Sequence, residues 1–303
     1  MLIFLHIGRS AGLTLRPIIK HGLQSLKNNT SLYLDVPWKN PNKTISNWIG
    51  TNNFPPIFCN AHYVGFGVHR KIDRTYKIKS KYFTMIREPL SRSVSILSSG
   101  RGGWMFNGEK ENINMVLFGK IPNNITDTEK IRINHARTDN VITRTLGCKN
   151  GEISFDNSDK CSSVIFERAI NNITKVIDLV LLTEKFDESV LLMKKKYNLL
   201  RPYYYKINKK VKNKSSADFT DEQIEFIHNR DKYDFKLYAI AEKIFEKKIK
   251  LNFKNFDKEL NQYRIKNKIY GSMLYYFDHI SPKPLFGDKQ LLLSKYKVYK
   301  NYK

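Results

Sequence analysis

The chain has 303 residues, of which 41% are hydrophobic and 13% aromatic, so it can build a sizeable core and is not globally disordered. Lysine and arginine total 53 against 28 acidic residues. The resulting net charge of +25 favours polyanions such as acidic glycans, nucleic acid, phosphorylated nucleotides or a membrane surface. The basic residues are spread along the chain, so charge alone names no partner.

The first residues and the cysteines bear on where the protein resides. Met1 leads straight into an apolar run, without the basic and long apolar regions of a signal peptide. No stretch reaches the roughly 18 apolar residues of a membrane span. We therefore expect a cytoplasmic protein as given, or a catalytic domain of something longer. Cys59, Cys148 and Cys161 form no metal-binding spacing, and free buried thiols are a simpler expectation than a Cys148–Cys161 disulfide.

Four runs of apolar and β-prone residues predict buried strands at 2–7, 56–63, 81–89 and 178–186. Helical patterns separate or follow them at 13–26, 89–99, 128–146, from 186 to about 199, and at 218–248, where Thr220 begins a capping pattern. Residues 27–56 predict a long irregular connection, and the last fifty residues show no clear period. Alternating strands and helices predict an α/β fold with a mainly parallel central sheet flanked by helices.

Ligands of parallel sheets bind at the carboxyl ends of the strands. Three predicted strands run into polar residues at those ends: Gly8-Arg9-Ser10, Asn60-Ala61-His62 and Arg87-Glu88. The sequence therefore predicts a polar site at this edge of the sheet.

The loop after the first strand is of the type that holds phosphate. A glycine-containing turn and a helix start offer backbone N–H groups, to which Arg9, Ser10 and Thr14 add side-chain donors. The Walker A pattern is absent, because Leu13 stands where its lysine would be, and so is G-x-G-x-x-G. An ordinary tight turn between strand and helix is the alternative interpretation of this loop alone.

A second anion site is predicted in the stretch MIREPLSRSVS. Arg87 ends its strand, and Ser91, Arg92 and Ser95 follow in the first turns of a helix. Guanidinium groups there suit bidentate phosphate contacts. Two such sites at neighbouring strand ends would fit one nucleotide with two separated phosphate groups.

These motifs resemble those of the carbohydrate sulfotransferases, the group that includes the heparan sulfate 2-O- and 6-O-sulfotransferases. HIGRSAGLTL resembles the family's HIPKTGGTT loop, and MIREPLSRSVS its R-[DE]-P-x-x-R-x-x-S element. NAHYVGFGVH, TDNVITRTLGC, LVLLTEKFDESVLLM and FIHNRDKYDFKLYAIA resemble further family segments in the same order, over about residues 2–245.

The resemblance implies a P-loop-like strand, loop and helix that binds 3′-phosphoadenosine-5′-phosphosulfate. The residues implied to hold its 5′-phosphosulfate are Arg9, Ser10, Ala11, Gly12, Leu13 and Thr14. Arg87 and Ser95 are implied to hold the 3′-phosphate, with Arg92 in support. Arg9 stands where the family has a lysine, and its planar guanidinium is not equivalent to a flexible point charge. Reduced turnover, or binding without catalysis, is therefore also open.

Sulfuryl transfer needs a general base, and His62 is the first choice, with Arg9 as the cation that stabilises the leaving group. His69 is the second candidate base, whereas His6, inside the first strand, is expected to be structural. No metal is required, and the acceptor is expected to be a glycan, possibly anionic, rather than nucleic acid.

Weaker expectations concern five further residues. Glu184 and Arg144 are expected to do structural or acceptor-side work, and Asn140 and Asn208 to contact donor or acceptor. Trp104 suits sugar stacking or hydrophobic anchoring of its loop.

Two other functions stay open on the sequence. One is a polyanion- or nucleic-acid-binding protein that uses the net charge and the basic, aromatic tail. The other is a P-loop-type kinase of a small metabolite, against which the missing Walker lysine counts. In the sulfotransferase interpretation, residues 1–250 form the α/β domain and residues 251–303 a basic, aromatic extension packed on or beside it.

Overall fold

The computed structural model describes residues 1–23, 32–37, 40–97, 110–119, 133–153, 159–205 and 218–279. Its strands are β1 (Leu2–His6), β2 (Tyr33–Pro37), β3 (Phe58–His62), β4 (Lys81–Ile86) and β5 (Leu179–Leu182). Its helices are α1 (Gly12–Gly22), α2 (Pro41–Thr51), α3 (Arg70–Tyr76), α4 (Pro89–Leu97), α5 (Lys110–Phe118), α6 (Val141–Gly147), α7 (Ser163–Asn171), α8 (Phe186–Tyr197), α9 (Asp221–Arg230), α10 (Lys232–Asn252) and α11 (Phe256–His279). A π-helical turn, Asn172–Val176, continues α7.

The five strands form one parallel sheet in the order β2-β3-β1-β4-β5, flanked by helices. The predicted α/β class is confirmed. The central strand β1 pairs with β3 and β4, and His6 lies directly opposite His62 in the β1–β3 register. Ile3, Phe4 and Leu5 are fully buried, because helices cover both faces of the sheet.

The region 27–56 is not one irregular connection, and that prediction is wrong. It contains β2 and α2. β2 is an edge strand whose residues alternate between buried Leu34 and Val36 and exposed Asp35 and Pro37, so it lacks the nearly continuous burial of the other strands. α2 is rich in Asn, Thr and Ser, which are poor helix formers.

Two predicted helices are each divided. Residues 133–137 are helical, and α6 begins at Val141 after Asn140, which has the left-handed φ of 49°. The 218–248 region contains α9 and α10, which meet at Asp231. The capping pattern at Thr220 is confirmed. The Thr220 hydroxyl accepts a hydrogen bond from the Gln223 N–H, and the Gln223 side chain accepts one from the Thr220 N–H.

The chain after residue 250 contains α11, so the expectation of no regular period there is wrong for residues 256–279. Leu260 and Tyr263 on α11 are buried in the main core, and the Tyr263 hydroxyl donates to the carbonyl of Pro202 at 2.9 Å. The division into two units at residue 250 stays a prediction, although α10 itself runs on to Asn252.

A smaller hydrophobic cluster fixes α4, the helix that follows β4. Val94 and Leu97 of α4 pack with Ile113 and Val116 of α5 and with Ile227 of α9. The cluster therefore sets the position of one wall of the polar edge described below.

The three cysteines are free, as expected. Cys59 and Cys161 are also buried as expected, whereas Cys148 is only partly buried, so the expected burial is wrong for that residue. No helix within the described ranges is long and apolar enough to cross a membrane.

Candidate anion-binding site at the carboxyl ends of β1, β3 and β4

The topology puts the loop after β1 at the centre of the sheet's carboxyl edge. From β1 the chain builds β2 and β3 on one side and then crosses to β4 and β5 on the other. Such a switch in direction opens a crevice outside the strand ends, where open α/β sheets bind ligands.

The backbone of this loop has an unusual alternation. Arg9 and Ala11 have positive φ values of 71° and 54°, whereas Ser10 between them does not. An anion-binding nest alternates left- and right-handed residues so that successive N–H groups turn toward one side, and this loop supplies two left-handed residues of such a pattern. Two non-glycine residues in this strained region are uncommon in so short a loop.

Several hydrogen-bond donors of the loop find no acceptor in the part of the chain that the structure describes. The N–H groups of Ala11, Gly12 and Leu13 bond to nothing among the described residues, as expected at the start of a helix. The Ser10 hydroxyl is fully buried and has no hydrogen-bond partner among the residues that the structure describes. Leaving a buried hydroxyl unpaired costs about 1–3 kcal/mol, which a bound anion would recover.

Two glycines let the loop pack onto aromatic rings. A Cβ atom on Gly8 would lie 1.7 Å from the Tyr63 hydroxyl oxygen, and one on Gly12 would lie 1.8 Å from His6 Nε2. The loop therefore rests directly on side chains from the ends of β3 and β1.

Three arginines join the loop to α4 and its strand. Arg9 donates from Nε and Nη2 to the Ser95 hydroxyl at 3.2 and 3.0 Å. Arg87 donates to the Arg9 carbonyl at 3.4 Å, and Arg92 donates to the Gly8 carbonyl at 3.2 Å. The two stretches that the sequence marks as anion sites are thus in direct contact.

Arg92 is the most deeply buried of these cations. It is 3% exposed, and its Nη2 has no hydrogen-bond partner among the described residues. Arg87 is half-buried; its burial lowers its pKa, and Glu184 and Glu88 act in the opposite direction. A buried guanidinium with an unused donor is a strong attractant for an anion.

The acidic residues nearby are already engaged. Glu88 accepts the N–H groups of Leu90 and Ser91 at 2.9 and 2.6 Å and so caps α4. Glu184 accepts from the Glu88 N–H at 3.0 Å and from the Tyr238 hydroxyl at 2.8 Å. Glu184 therefore has the structural work that was one of its two expected roles.

An aromatic row adjoins the cations. The His62 ring stacks on the His6 ring at 4.4 Å between centroids and lies 4.7 Å from the Tyr63 ring, which lies 4.9 Å from the ring of His135. Burial, with Arg92 and His62 as lesser causes, lowers the pKa of His135 to about 4. Burial raises the pKa of Tyr63, and Arg92 and Arg9 oppose that rise.

His69, the second candidate base, does not join this group. His69 faces the Tyr82 hydroxyl at 2.6 Å, and Tyr82 is the second residue of β4, far from its carboxyl end. His69 is thus poorly placed as the second candidate base. Trp104 and Asn208 lie outside the described residues.

Arg144 and Asn140 are buried structural residues. Arg144 pairs with Asp139 at 2.5 Å. Asn140 donates to the Arg230 carbonyl at 2.8 Å, and its side-chain oxygen accepts two N–H groups at the start of α10. The expected contact of Asn140 with donor or acceptor is not supported by this geometry. Asn140 instead connects the start of α6 to the start of α10 through hydrogen bonds.

Sequence reasoning did not single out Tyr63 or His135 and assigned His6 a structural role. The position of His6 in the site could have been inferred from the sequence, because parallel pairing of the first and second predicted strands brings His6 beside His62. His135 reaches the site from the helical stretch 133–137, and no local pattern could have indicated that contact.

Within the described ranges, no group of three or more His, Cys, Asp or Glu side chains is placed to hold a metal ion. Comparison of the chain with protein-family models and with curated proteins returned no significant match.

Proposed function

We propose that the protein transfers a sulfuryl group from 3′-phosphoadenosine-5′-phosphosulfate to a hydroxyl group of a carbohydrate. The observation that carries the proposal is the contact between the loop after β1 and α4, both of which have donors without a partner among the described residues. Ser10 Oγ, three loop N–H groups and Arg92 Nη2 offer hydrogen bonds to an anion at the end of the central strand. The motifs around them resemble those of carbohydrate sulfotransferases.

The donor nucleotide has anionic groups at two ends, which suits a cationic site of this extent. The loop donors with Arg9 would hold the 5′-phosphosulfate, and Arg87 with Ser95 the 3′-phosphate. Because Arg9 now donates to Ser95, we expect its guanidinium to leave the serine and bind the donor when the nucleotide enters.

In the reaction, the acceptor hydroxyl oxygen attacks sulfur in line with the bond from sulfur to the 5′-phosphate oxygen. The new S–O bond forms as the old one breaks, and the electron pair leaves with 3′-phosphoadenosine-5′-phosphate. His62 takes the hydroxyl proton, while Arg9 and the loop N–H groups stabilise the charge that grows on the leaving oxygen. The transfer resembles phosphoryl transfer, in which positioning and electrostatics supply most of the catalysis.

The same site is poorly equipped for Walker-type kinase chemistry. In a Walker A loop a lysine directly follows the second glycine. In this chain that glycine would be Gly12, and the residue after it is the exposed Leu13. The cations here are arginines, which neutralise and orient oxyanions through a planar fork.

A calorimetric titration with 3′-phosphoadenosine-5′-phosphate tests the donor site. We expect micromolar binding by the wild type and loss of at least about tenfold in Arg87→Ala, since a charge-assisted bond contributes about 1.5–3 kcal/mol. Lys243→Ala, which removes an exposed charge on α10, is the control and should bind like the wild type. Absence of wild-type binding at moderate salt would overturn the proposal and favour a polyanion-binding protein.

A further inference from the structure

The helix α11 exposes apolar side chains to solvent. Within the described ranges, four of the eleven exposed large hydrophobic side chains belong to this one helix: Ile265, Ile269, Tyr270 and Met273. Ile265 and Ile269 are each 55% exposed, and Met273 is 49% exposed. Exposed apolar groups that are concentrated on one element mark an interaction surface, whereas single scattered ones do not.

Three of these residues form one continuous stripe. Ile265, Ile269 and Met273 are spaced four residues apart, so each lies about 40° around the helix from the one before, and the stripe is about 80° wide. Lys268 lies beside one edge of the stripe and Lys266 beside the other. The arc from Lys268 through the stripe to Lys266, about 160° wide, contains no acidic residue of α11.

The opposite face of α11 is fixed to the body of the protein, so the stripe cannot turn inward. Tyr263 is buried in the main core, and Tyr270 stacks on Tyr203 at 4.7 Å between ring centroids. A Cβ atom on Gly271 would lie 2.4 Å from the Tyr204 carbonyl oxygen, so the helix packs directly on the backbone there.

Ion pairs also hold α11 against α8, the helix that follows the edge strand β5. Arg264 donates from Nε to Asp187 at 3.2 Å and from Nη2 to Glu188 at 3.1 Å. These two carboxylates of α8 are therefore neutralised and do not oppose an anionic surface. The candidate anion-binding site lies at the central strand, whereas α11 lies on the β5 side of the sheet.

An apolar stripe with flanking lysines fits the surface of an anionic lipid bilayer. A helix of this kind lies in the interface, with its apolar side chains among the acyl chains and its lysines at the headgroups. The net charge of +25 adds a long-range attraction to such a surface and opposes contact between two copies of the chain. Nucleic acid would use the lysines but would leave the stripe in water.

We propose that α11 docks the protein on an anionic bilayer, with Ile265, Ile269 and Met273 inserted below the headgroups. Lys266 and Lys268 bind the phosphate and carboxylate groups of the lipids. The inference goes beyond the proposed sulfuryl transfer and does not rest on it, because the stripe shares no residue with the candidate anion-binding site.

Binding to vesicles of phosphatidylcholine with about 30% phosphatidylserine, measured by co-sedimentation at about 0.15 M salt, tests the inference. We expect the wild type to bind them at least about tenfold more tightly than vesicles of phosphatidylcholine alone. Ile265→Gln/Ile269→Gln should weaken binding to the anionic vesicles by about tenfold or more, because it removes most of the apolar stripe. Glutamine forms helices at least as well as isoleucine does, so α11 should be retained in this variant.

A matched apolar control separates the stripe from other exposed hydrophobic groups. Val164 and Val176 are 59% and 48% exposed at the start of α7 and in the π-helical turn. Val164→Gln/Val176→Gln should change vesicle binding by less than about threefold. Equal losses in this variant and in Ile265→Gln/Ile269→Gln would overturn the inference.

A second pair of variants tests the lysines. Lys266→Gln/Lys268→Gln should weaken binding to the anionic vesicles by about tenfold or more. Arg70→Gln/Arg74→Gln removes the same charge from exposed positions of α3 and should change binding by less than about threefold.

Three further results would overturn the inference. The first is no binding of the wild type to anionic vesicles. The second is a loss of binding on removal of the lysines alone, with Ile265→Gln/Ile269→Gln unchanged, which would show adsorption by charge. The third is a dimer in analytical ultracentrifugation that Ile265→Gln/Ile269→Gln converts to monomers, which would assign the stripe to a second copy of the chain.

Discussion

Replacing Gly12 with alanine should disturb the loop after β1 through a single steric contact. The added Cβ would lie 1.8 Å from His6 Nε2, and ordinary van der Waals contact begins at 3.4 Å, so the ring must retreat by about 1.6 Å. The His6 ring is stacked between Phe4 and His62, at 5.1 and 4.4 Å between centroids, which leaves it little room to move. Overpacking of this kind lowers the free energy of unfolding by about 1–3 kcal/mol.

The cause can be isolated with a double-mutant cycle followed by urea denaturation. In a His6→Ala background the clash is absent, and Gly12→Ala should then be neutral or stabilising by up to about 1 kcal/mol, because alanine restricts the unfolded chain. Gly50→Ala in α2 is the matched control, since a Cβ there meets nothing within 4 Å, and it should stabilise by a similar amount. An equal loss from Gly12→Ala in both backgrounds would refute the steric explanation.

Three other predictions concern single side chains. His62→Ala should lower kcat by about 10²–10⁴-fold in steady-state kinetics with nucleotide affinity unchanged. His69→Ala should lower the thermal stability of the protein and leave kcat within about threefold of the wild type. The reverse pattern would exchange the roles of the two histidines. Asn140→Ala should lower the free energy of unfolding by about 2–4 kcal/mol in urea titrations, because it removes the hydrogen-bond partner of the Arg230 carbonyl and of two N–H groups at the start of α10. A loss under about 0.5 kcal/mol would refute this. The pKa of His135 is about 4 in the folded protein, so the unfolded chain takes up the proton first as the pH is lowered from 6.5 to 4. The free energy of unfolding should therefore fall by up to about 1.4 kcal/mol for each pH unit of acidification in that range. His135→Gln should flatten this slope, and an unchanged slope would count against the low pKa.

The parts of the fold that the sequence predicted are those that one local pattern determines. β1, β4 and β5 contain runs of apolar residues, and β3 contains Phe58, Cys59 and Ala61, as strands covered by helices on both faces do. Such runs are visible without knowing their neighbours. β2 escaped prediction because an edge strand of five residues keeps only Leu34 and Val36 buried. The break before α6 depends on the left-handed φ of Asn140 and on its bonds to α10, which no local pattern contains.

The candidate site divides in the same way. Arg9, Ser10 and His62 could be selected because each lies at or just after the end of a strand that the sequence predicts, and parallel strands end at one edge. Tyr63 and His135 could not, since their roles come from ring contacts between distant segments. The bond from Arg9 to Ser95 was also beyond prediction, because it crosses 86 positions of the chain.

The transfer reaction itself distinguishes a sulfotransferase from a kinase and from a protein that only binds the nucleotide. Wild-type protein would be incubated with an acidic oligosaccharide and either ³⁵S-labelled 3′-phosphoadenosine-5′-phosphosulfate or ATP labelled with ³²P in its γ-phosphoryl group. We expect ³⁵S to move to the oligosaccharide, this transfer to be lost in His62→Ala, and ³²P not to be transferred. Transfer of ³²P, or donor binding with no movement of ³⁵S to any carbohydrate offered, would contradict this expectation.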